Sequence, residues 1–166
     1  ELLFGLVFLR PLGLRLNAAA GDQSTENKTA EPSTLDELFG GENLSVTYTG
    51  AEIAANYMEG GYYSLDAEQG KTFVIVGIDI TNSGADEIAI DNFAKTPKFS
   101  VMVNGQEKAE EENTILPSDF ALYQETVPAG VTENTILLFQ VPDSVTSVDS
   151  LDLFVNISGT NYQITL

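Results

Sequence analysis

The 166-residue sequence contains no His and no Cys. A histidine general base, a thiol nucleophile and a Cys/His zinc site are therefore absent from its vocabulary. Carboxylate, lysine and tyrosine chemistry remain. The carboxylates gather in three stretches: Asp86, Glu87 and Asp91 in "SGADEIAIDN"; Glu107 and Glu110 to Glu112 in "EKAEEEN"; Asp143, Asp149 and Asp152 in "PDSVTSVDSLD". A hard cation such as Ca²⁺ needs about six to eight oxygens from a shaped loop. No Asp-x-Asp-x-Asp-Gly spacing occurs, the run Glu110–Glu112 reads as a solvated loop, and no metal site is expected. A calcium-dependent surface protein stays as an alternative function, marked by a rise in melting temperature when Ca²⁺ is added after chelation. A catalytic pair such as Asp79 with Asp152 can be imagined. Alternation, however, places Asp79 on a strand face that has already turned polar, so it reads as an exposed strand residue. No enzyme activity and no cofactor are expected.

The remaining chemistry-bearing stretch is "NYMEGGYYSLD" (Asn56 to Asp66), where Tyr57, Met58, Tyr62 and Tyr63 surround Gly60-Gly61. Tyrosines beside a glycine turn suit ligand binding, because they are large and lose little side-chain entropy on contact. The competing reading is that Tyr57 and Tyr63 pack at the end of the domain while the glycine pair closes a hairpin. Tyr57, Tyr62 and Tyr63 are the candidate ligand-binding residues.

The elements that position these residues follow a period of two from Leu44 onward. Val74, Val76, Ile78 and Ile80 form one face of "GKTFVIVGIDITNSG". The other face starts apolar at Phe73 and Ile75 and ends as Gly77, Asp79 and Thr81. Phe99, Val101 and Val103 repeat the pattern, as do Leu137, Phe139 and Val141, then Leu151, Leu153 and Val155. Tyr162 and Ile164 close the series. These are strands with one face buried. Asn82-Ser83-Gly84, Asn104-Gly105, Pro128-Ala129-Gly130, Pro142-Asp143 and Ser158-Gly159 mark turns between them. A doubly wound sheet needs helices between its parallel strands, and no segment after residue 44 has helical period and length. The fold class is an all-β, immunoglobulin-like antiparallel β-sandwich of about seven or eight strands, over residues 44–166.

Two segments precede that domain. Residues 1–20 hold an apolar run, Leu2 to Leu9, followed by Arg10, Arg15 and the triplet Ala18–Ala20. The triplet suits a signal cleavage site, but a signal peptide carries its positive charges before the apolar run, and here they follow it. The run is also too short to span a bilayer. It reads as a partial export segment, an appended non-native piece, or an apolar peptide that docks. Residues 21–43 read as a flexible acidic tether with a short helical turn, Thr34 capping it, Glu37 completing the capping box and Leu35, Leu38 and Phe39 facing inward.

The formal charge of −18 divides as +1 over residues 1–20, −5 over 21–43 and −14 over 44–166. Such a surface repels phosphate backbones, so nucleic acid is not an expected partner.

With its strands in place, the sequence resembles a known family. "GKTFVIVGIDITNSG", "DNFAKTPKFSVMVNGQE", "VPAGVTENTILLFQVP" and "LDLFVNI" follow the order found in the Ig-like domain of an uncharacterised family of secreted lipoproteins, mostly of Gram-positive bacteria. That family is distantly similar to the mycobacterial immunoprotective extracellular protein. The matching residues are Gly70, Lys71, Phe73, Thr81 and Asn82, then Pro128, Gly130, Phe139, Val141 and Pro142. The resemblance implies a cell-envelope or secreted binding or accessory module without chemistry of its own. It further implies an extracellular or cell-surface location and an unknown protein or cell-wall partner. The family carries a lipid anchor on a Cys before its tether; no Cys precedes the tether here, so an anchor is an implication of the resemblance alone. The alternative function is a structural or assembly protein that self-associates through strand edges or through residues 1–20.

Overall fold

The computed structural model describes residues 29–166. The expectations for residues 1–20 and for the first part of the tether lie outside the described residues. The chain then forms β1 (Glu31–Ser33), α1 (Leu35–Phe39), β2 (Leu44–Ala54), β3 (Asn56–Glu59), β4 (Tyr63–Asp66), β5 (Lys71–Asn82) and β6 (Ile88–Ala89). After a single 3₁₀ turn (Phe93–Lys95) come β7 (Lys98–Val103), β8 (Glu107–Glu110), β9 (Thr126–Val127), β10 (Thr132–Pro142), β11 (Leu151–Ile157) and β12 (Thr160–Ile164).

Eight of these strands make two main sheets, in the orders β1-β12-β11-β7-β8 and β10-β5-β2. The second matches the A-B-E part of an immunoglobulin sandwich, read as β2, β5, β10. In the first, β8-β7-β11-β12 matches C′-C-F-G. The fold is an immunoglobulin-like β-sandwich. One feature departs from the antiparallel expectation: β1 pairs with β12 in parallel, Glu31 opposite Tyr162 and Ser33 opposite Ile164. Residues 31–43, read from sequence as part of the tether, thus join the folded body. Their polar composition hid this, because β1 is held by backbone hydrogen bonds and contributes little side-chain burial.

The core lies between the sheets. Val74, Val76, Ile78 and Ile80 of β5 and Leu137, Phe139 and Val141 of β10 meet Phe99, Val101 and Val103 of β7 and Leu153 and Val155 of β11. Each such side chain, removed from water, stabilises the fold by roughly 1.5–3 kcal/mol. Helix α1 closes one end. Its capping box is complete, Glu37 N donating to Thr34 Oγ1 at 3.1 Å and Thr34 N to Glu37 Oε2 at 3.0 Å. Leu35 and Phe39 are buried, and the Phe39 ring lies 5.8 Å from Phe99 and 5.0 Å from Phe120.

The apolar start of the outer face of β5 also has its cause. Phe73 and Ile75 are covered by Leu116 and Leu138, with Tyr57 and Leu65 packed against them, as a second, smaller core outside the three-stranded sheet. Beyond it, at Gly77 and Asp79, β5 faces outward without that cover. The strand ends at Asn82, which is fully buried: Nδ2 donates to Asp86 O and Val127 O, and Oδ1 accepts from Gly84 N.

Exposed strand edges are the usual route to edge-to-edge association. Here β1 is three residues long and contains Pro32. β2 is interrupted by a bulge between Tyr48 and Gly50, and the Asp36 carboxylate accepts the Val46 N–H at 2.9 Å. From β8 the chain crosses to the other sheet, Glu111 bridging to Phe139.

Candidate functional site

The sequence "MEGGYY" folds as the tip of a hairpin because two consecutive residues adopt left-handed backbone, Gly60 at φ 59° and Gly61 at φ 73°, a conformation that costs glycine nothing. β3 and β4 pair from Asn56 opposite Asp66 to Glu59 opposite Tyr63, and Tyr62 N donates to Glu59 O. The tip therefore presents Tyr62 at 93% exposure beside Met58 at 67%, with Tyr63 also exposed. The hairpin base is fixed. Tyr57 and Leu65 sit on the smaller core. Glu59 accepts from both the Ser118 hydroxyl and the Ser118 N–H, and the Tyr57 hydroxyl lies 3.4 Å from the same Ser118 oxygen. Hydrogen bonds to a carboxylate are among the stronger ones.

The structure thus brings Tyr57, Tyr62 and Tyr63 onto one hairpin but not onto one surface. Tyr57 is partly buried and anchors; Tyr62 and Tyr63 are presented. Strand β3 also borders two hollows. Tyr57 helps to line one of about 350 Å³ with Gly50, Ile75, Gly77 and Ile136. A Cβ on Gly77 would lie 2.4 Å from Thr49 Oγ1, so a side chain there would require the Thr49 hydroxyl to turn away. Glu59 helps to line the other hollow, about 360 Å³, with Ser118, Tyr123, Glu125 and Glu133. Burial, reinforced by Glu133 and Glu125, pushes the Tyr123 hydroxyl up to about 12. It stays protonated at neutral pH.

The other candidate residues separate. Asp79 lies on the outer face of the three-stranded sheet and accepts from Asn134 Nδ2 at 2.7 Å. Asp152 lies on β11 of the opposite sheet, accepting from Gln163 Nε2 at 3.4 Å. The sandwich stands between them. Among the described residues no three acidic side chains converge as a cation site requires. Asp91 instead accepts from Ala94 N and Gln124 Nε2.

One expectation is corrected. Glu111 is not a solvated loop residue. Burial pushes its carboxyl up to about 9, and the charge of Asp119 and a hydrogen bond to it add to the effect. Asp119 is itself buried and committed to Thr114 Oγ1 and Ala121 N. The pair is a seam between sheets. Composition concealed it, since Glu110 and Glu112 flank Glu111 with the same residue type and only tertiary pairing singles out the middle one.

No family model matches the sequence, and no curated protein matches it. Among solved structures the chain is similar to an uncharacterised β-sandwich protein of Clostridium difficile, at 18% identity and TM-score 0.48, over 84% of this chain and 95% of that one. It is similar to the YjhA protein of Bacillus subtilis at 16% identity and TM-score 0.41, over 75% and 92% of the two chains. It is also similar to a candidate lipoprotein, YcdA of Bacillus subtilis, at 11% identity and TM-score 0.39, over 83% of this chain and 38% of that one. No family model supports the resemblance drawn from the Gly70–Asn82 and Pro128–Pro142 motifs. The immunoglobulin-like assignment stands on the strand order.

Proposed function

We propose that the protein is a non-catalytic binding module of the cell envelope or the extracellular medium, engaging a protein or cell-wall partner through the β3–β4 hairpin. The observation that supports this reading is Tyr62, exposed at 93% on a hairpin whose base is tied down by the Glu59–Ser118 hydrogen bonds. A large aromatic held outward on a rigid support makes contact area at small entropic cost. Exposed apolar side chains clustered on one element are what an interaction surface requires. The net charge of −18 favours a partner face that is neutral or basic. Strand addition is less suited to the edges β1 and β2, because β1 is short and contains Pro32 and β2 is interrupted by its bulge and by the Asp36 hydrogen bond. The proposed extracellular location and lipid anchor rest on the family resemblance.

The test is saturable binding of the labelled full chain to envelopes prepared from the source cells, compared with Tyr62→Ala and Tyr63→Ala variants. Expected are a loss of binding of tenfold or more and an unchanged melting temperature. Binding that survives both substitutions removes the hairpin from the reading. Mass spectrometry of the native N-terminus then separates an anchored from a released protein.

A further inference from the structure

Four lysines fall among the described residues of this strongly acidic chain, and two of them are already engaged. Lys71 Nζ lies 2.6 Å from Glu68 Oε2. Lys95 Nζ donates to Leu38 O at 2.6 Å and stands 4.9 Å from the centre of the Phe39 ring. Lys98 and Lys108 have no ion-pair partner among the described residues. Both are exposed, and both line a single hollow of about 360 Å³ on the outer face of the five-stranded sheet.

Strand alternation builds that hollow. Phe99, Val101, Leu153 and Val155 point into the core, which turns Lys98, Ser100, Phe154 and Asn156 outward. Phe154 stands opposite Ser100, and Asn156 is opposite both Lys98 and Asn161. Lys108 is opposite Met102 on the neighbouring strand, four residues from Lys98. The two lysine Cα atoms are therefore separated by about 13 Å along the strands and about 5 Å across them. Lys98, Lys108, Phe154, Ser100 and Asn161 all border the same hollow. Asn156 Nδ2 donates to Asn161 Oδ1 at 2.6 Å, and Asn156 Oδ1 accepts from Gly159 N. This orients both amides, while Asn161 Nδ2 donates to nothing among the described residues. Two carboxylates share the face: Glu110, opposite Ser100, and Asp152, opposite Met102.

We infer that this face binds an acidic oligosaccharide, a hydroxyl-rich chain bearing well-separated carboxylates. The inference concerns a surface separate from the hairpin and does not depend on it. An aromatic ring among hydroxyl and amide groups offers an apolar plane to the C–H face of a sugar, with donors and acceptors for its hydroxyls. The lysines match carboxylates spaced along an extended ligand that follows the strands. A densely charged polyanion suits the face poorly: Glu110, Asp152 and the net charge of −18 repel closely spaced phosphates, whereas sparse carboxylates reach the lysines locally.

The test is titration of the full chain with hyaluronan oligomers, whose carboxylates fall on alternate sugars, read by amide NMR shifts, beside neutral dextran oligomers and polyphosphate. Expected are saturable shifts confined to β7, β8, β11 and β12, weakening with salt. Affinity should fall at least tenfold in the Lys98→Gln/Lys108→Gln double variant. Phe154→Leu, which keeps an apolar side chain in the sheet, should weaken it less, and Tyr62→Ala not at all. Absence of saturable shifts overturns the proposal. So does equal binding of dextran, tighter binding of polyphosphate, or binding that survives loss of both lysines.

Discussion

Glu111 brings its carboxyl against the charge of the buried Asp119 where the chain passes from one sheet of the sandwich to the other. Glu111 bridges to Phe139, Asp119 bridges to Ile136, and Glu112 N donates to Leu138 O. The two carboxyl groups thus belong to a segment that runs beside β10 and closes the side of the core.

This pair makes stability depend on pH. The Glu111 carboxyl is raised by burial first and by Asp119 second, from an ordinary 4.5 to about 9. Its contribution is complete below the ordinary value and is lost as pH rises through the folded one. Glu111→Gln keeps a hydrogen-bond donor and removes the titration. From about pH 5 to about pH 10, the melting temperature of the natural protein should fall relative to this variant, by roughly 3 °C or more at the alkaline end. Titrations of other groups cancel in the difference. Parallel melting curves across that range would show that Glu111 does not titrate in the seam.

Asn82 joins three backbone groups from a buried position at the end of β5. Asn82→Ala leaves Asp86 O, Val127 O and Gly84 N short of a partner, and each such loss costs about 1–3 kcal/mol when the group stays dry. Only the Val127 carbonyl is bonded in the interior, and Asp86 O and Gly84 N can reach water, so the expected total is about 2–4 kcal/mol in urea unfolding. Asn82→Asp should recover little, because the carboxylate cannot donate to either carbonyl. Recovery close to the natural stability in Asn82→Asp would mean that Nδ2 is dispensable.

Helix α1 is part of the fold and not of the tether. Phe39→Ala opens a void between Phe99 and Phe120 and should cost about 3–5 kcal/mol. A chain beginning at residue 44 should lose at least as much, with β12 left as an unpaired edge. An unfolding midpoint unchanged by that truncation would return residues 31–43 to the tether.

The hairpin anchor can be separated from the hairpin tip. Glu59→Ala removes two hydrogen bonds to a carboxylate, and such bonds are worth about 1.5–3 kcal/mol each to stability. The expected readout is faster hydrogen exchange of the β3–β4 amides, with the exchange of β5 and β10 nearly unchanged. Tyr62→Ala, at the exposed tip, should alter neither. Global acceleration in Glu59→Ala would show that the hairpin is coupled to the whole core.

The candidate surfaces were legible in unequal parts. Gly60-Gly61 between tyrosines announces a hairpin tip, since two adjacent glycines permit left-handed backbone whatever surrounds them. That Tyr57 anchors while Tyr62 projects depends on Ser118, far along the chain and invisible to local pattern. Lys98 and Lys108 show no motif in sequence. They become a pair only because β7 and β8 are neighbours and alternation sends both to the same face.

By itself, the sequence determines the class of structure and much of its chemistry. The period-two burial of Val74 to Ile80 and Leu137 to Val141 dictates a sandwich, and the missing His and Cys remove the commonest catalytic groups. The Thr34–Glu37 capping box is equally local, because its partners lie three residues apart. Tertiary structure alone decides which acid among Glu110, Glu111 and Glu112 loses its water, that β1 adds in parallel beside β12, and why Phe73 and Ile75 are apolar on an outer face. In each case the deciding partner comes from a distant part of the chain. Desolvation and pairing energies depend on what packs in space, which local periodicity does not encode.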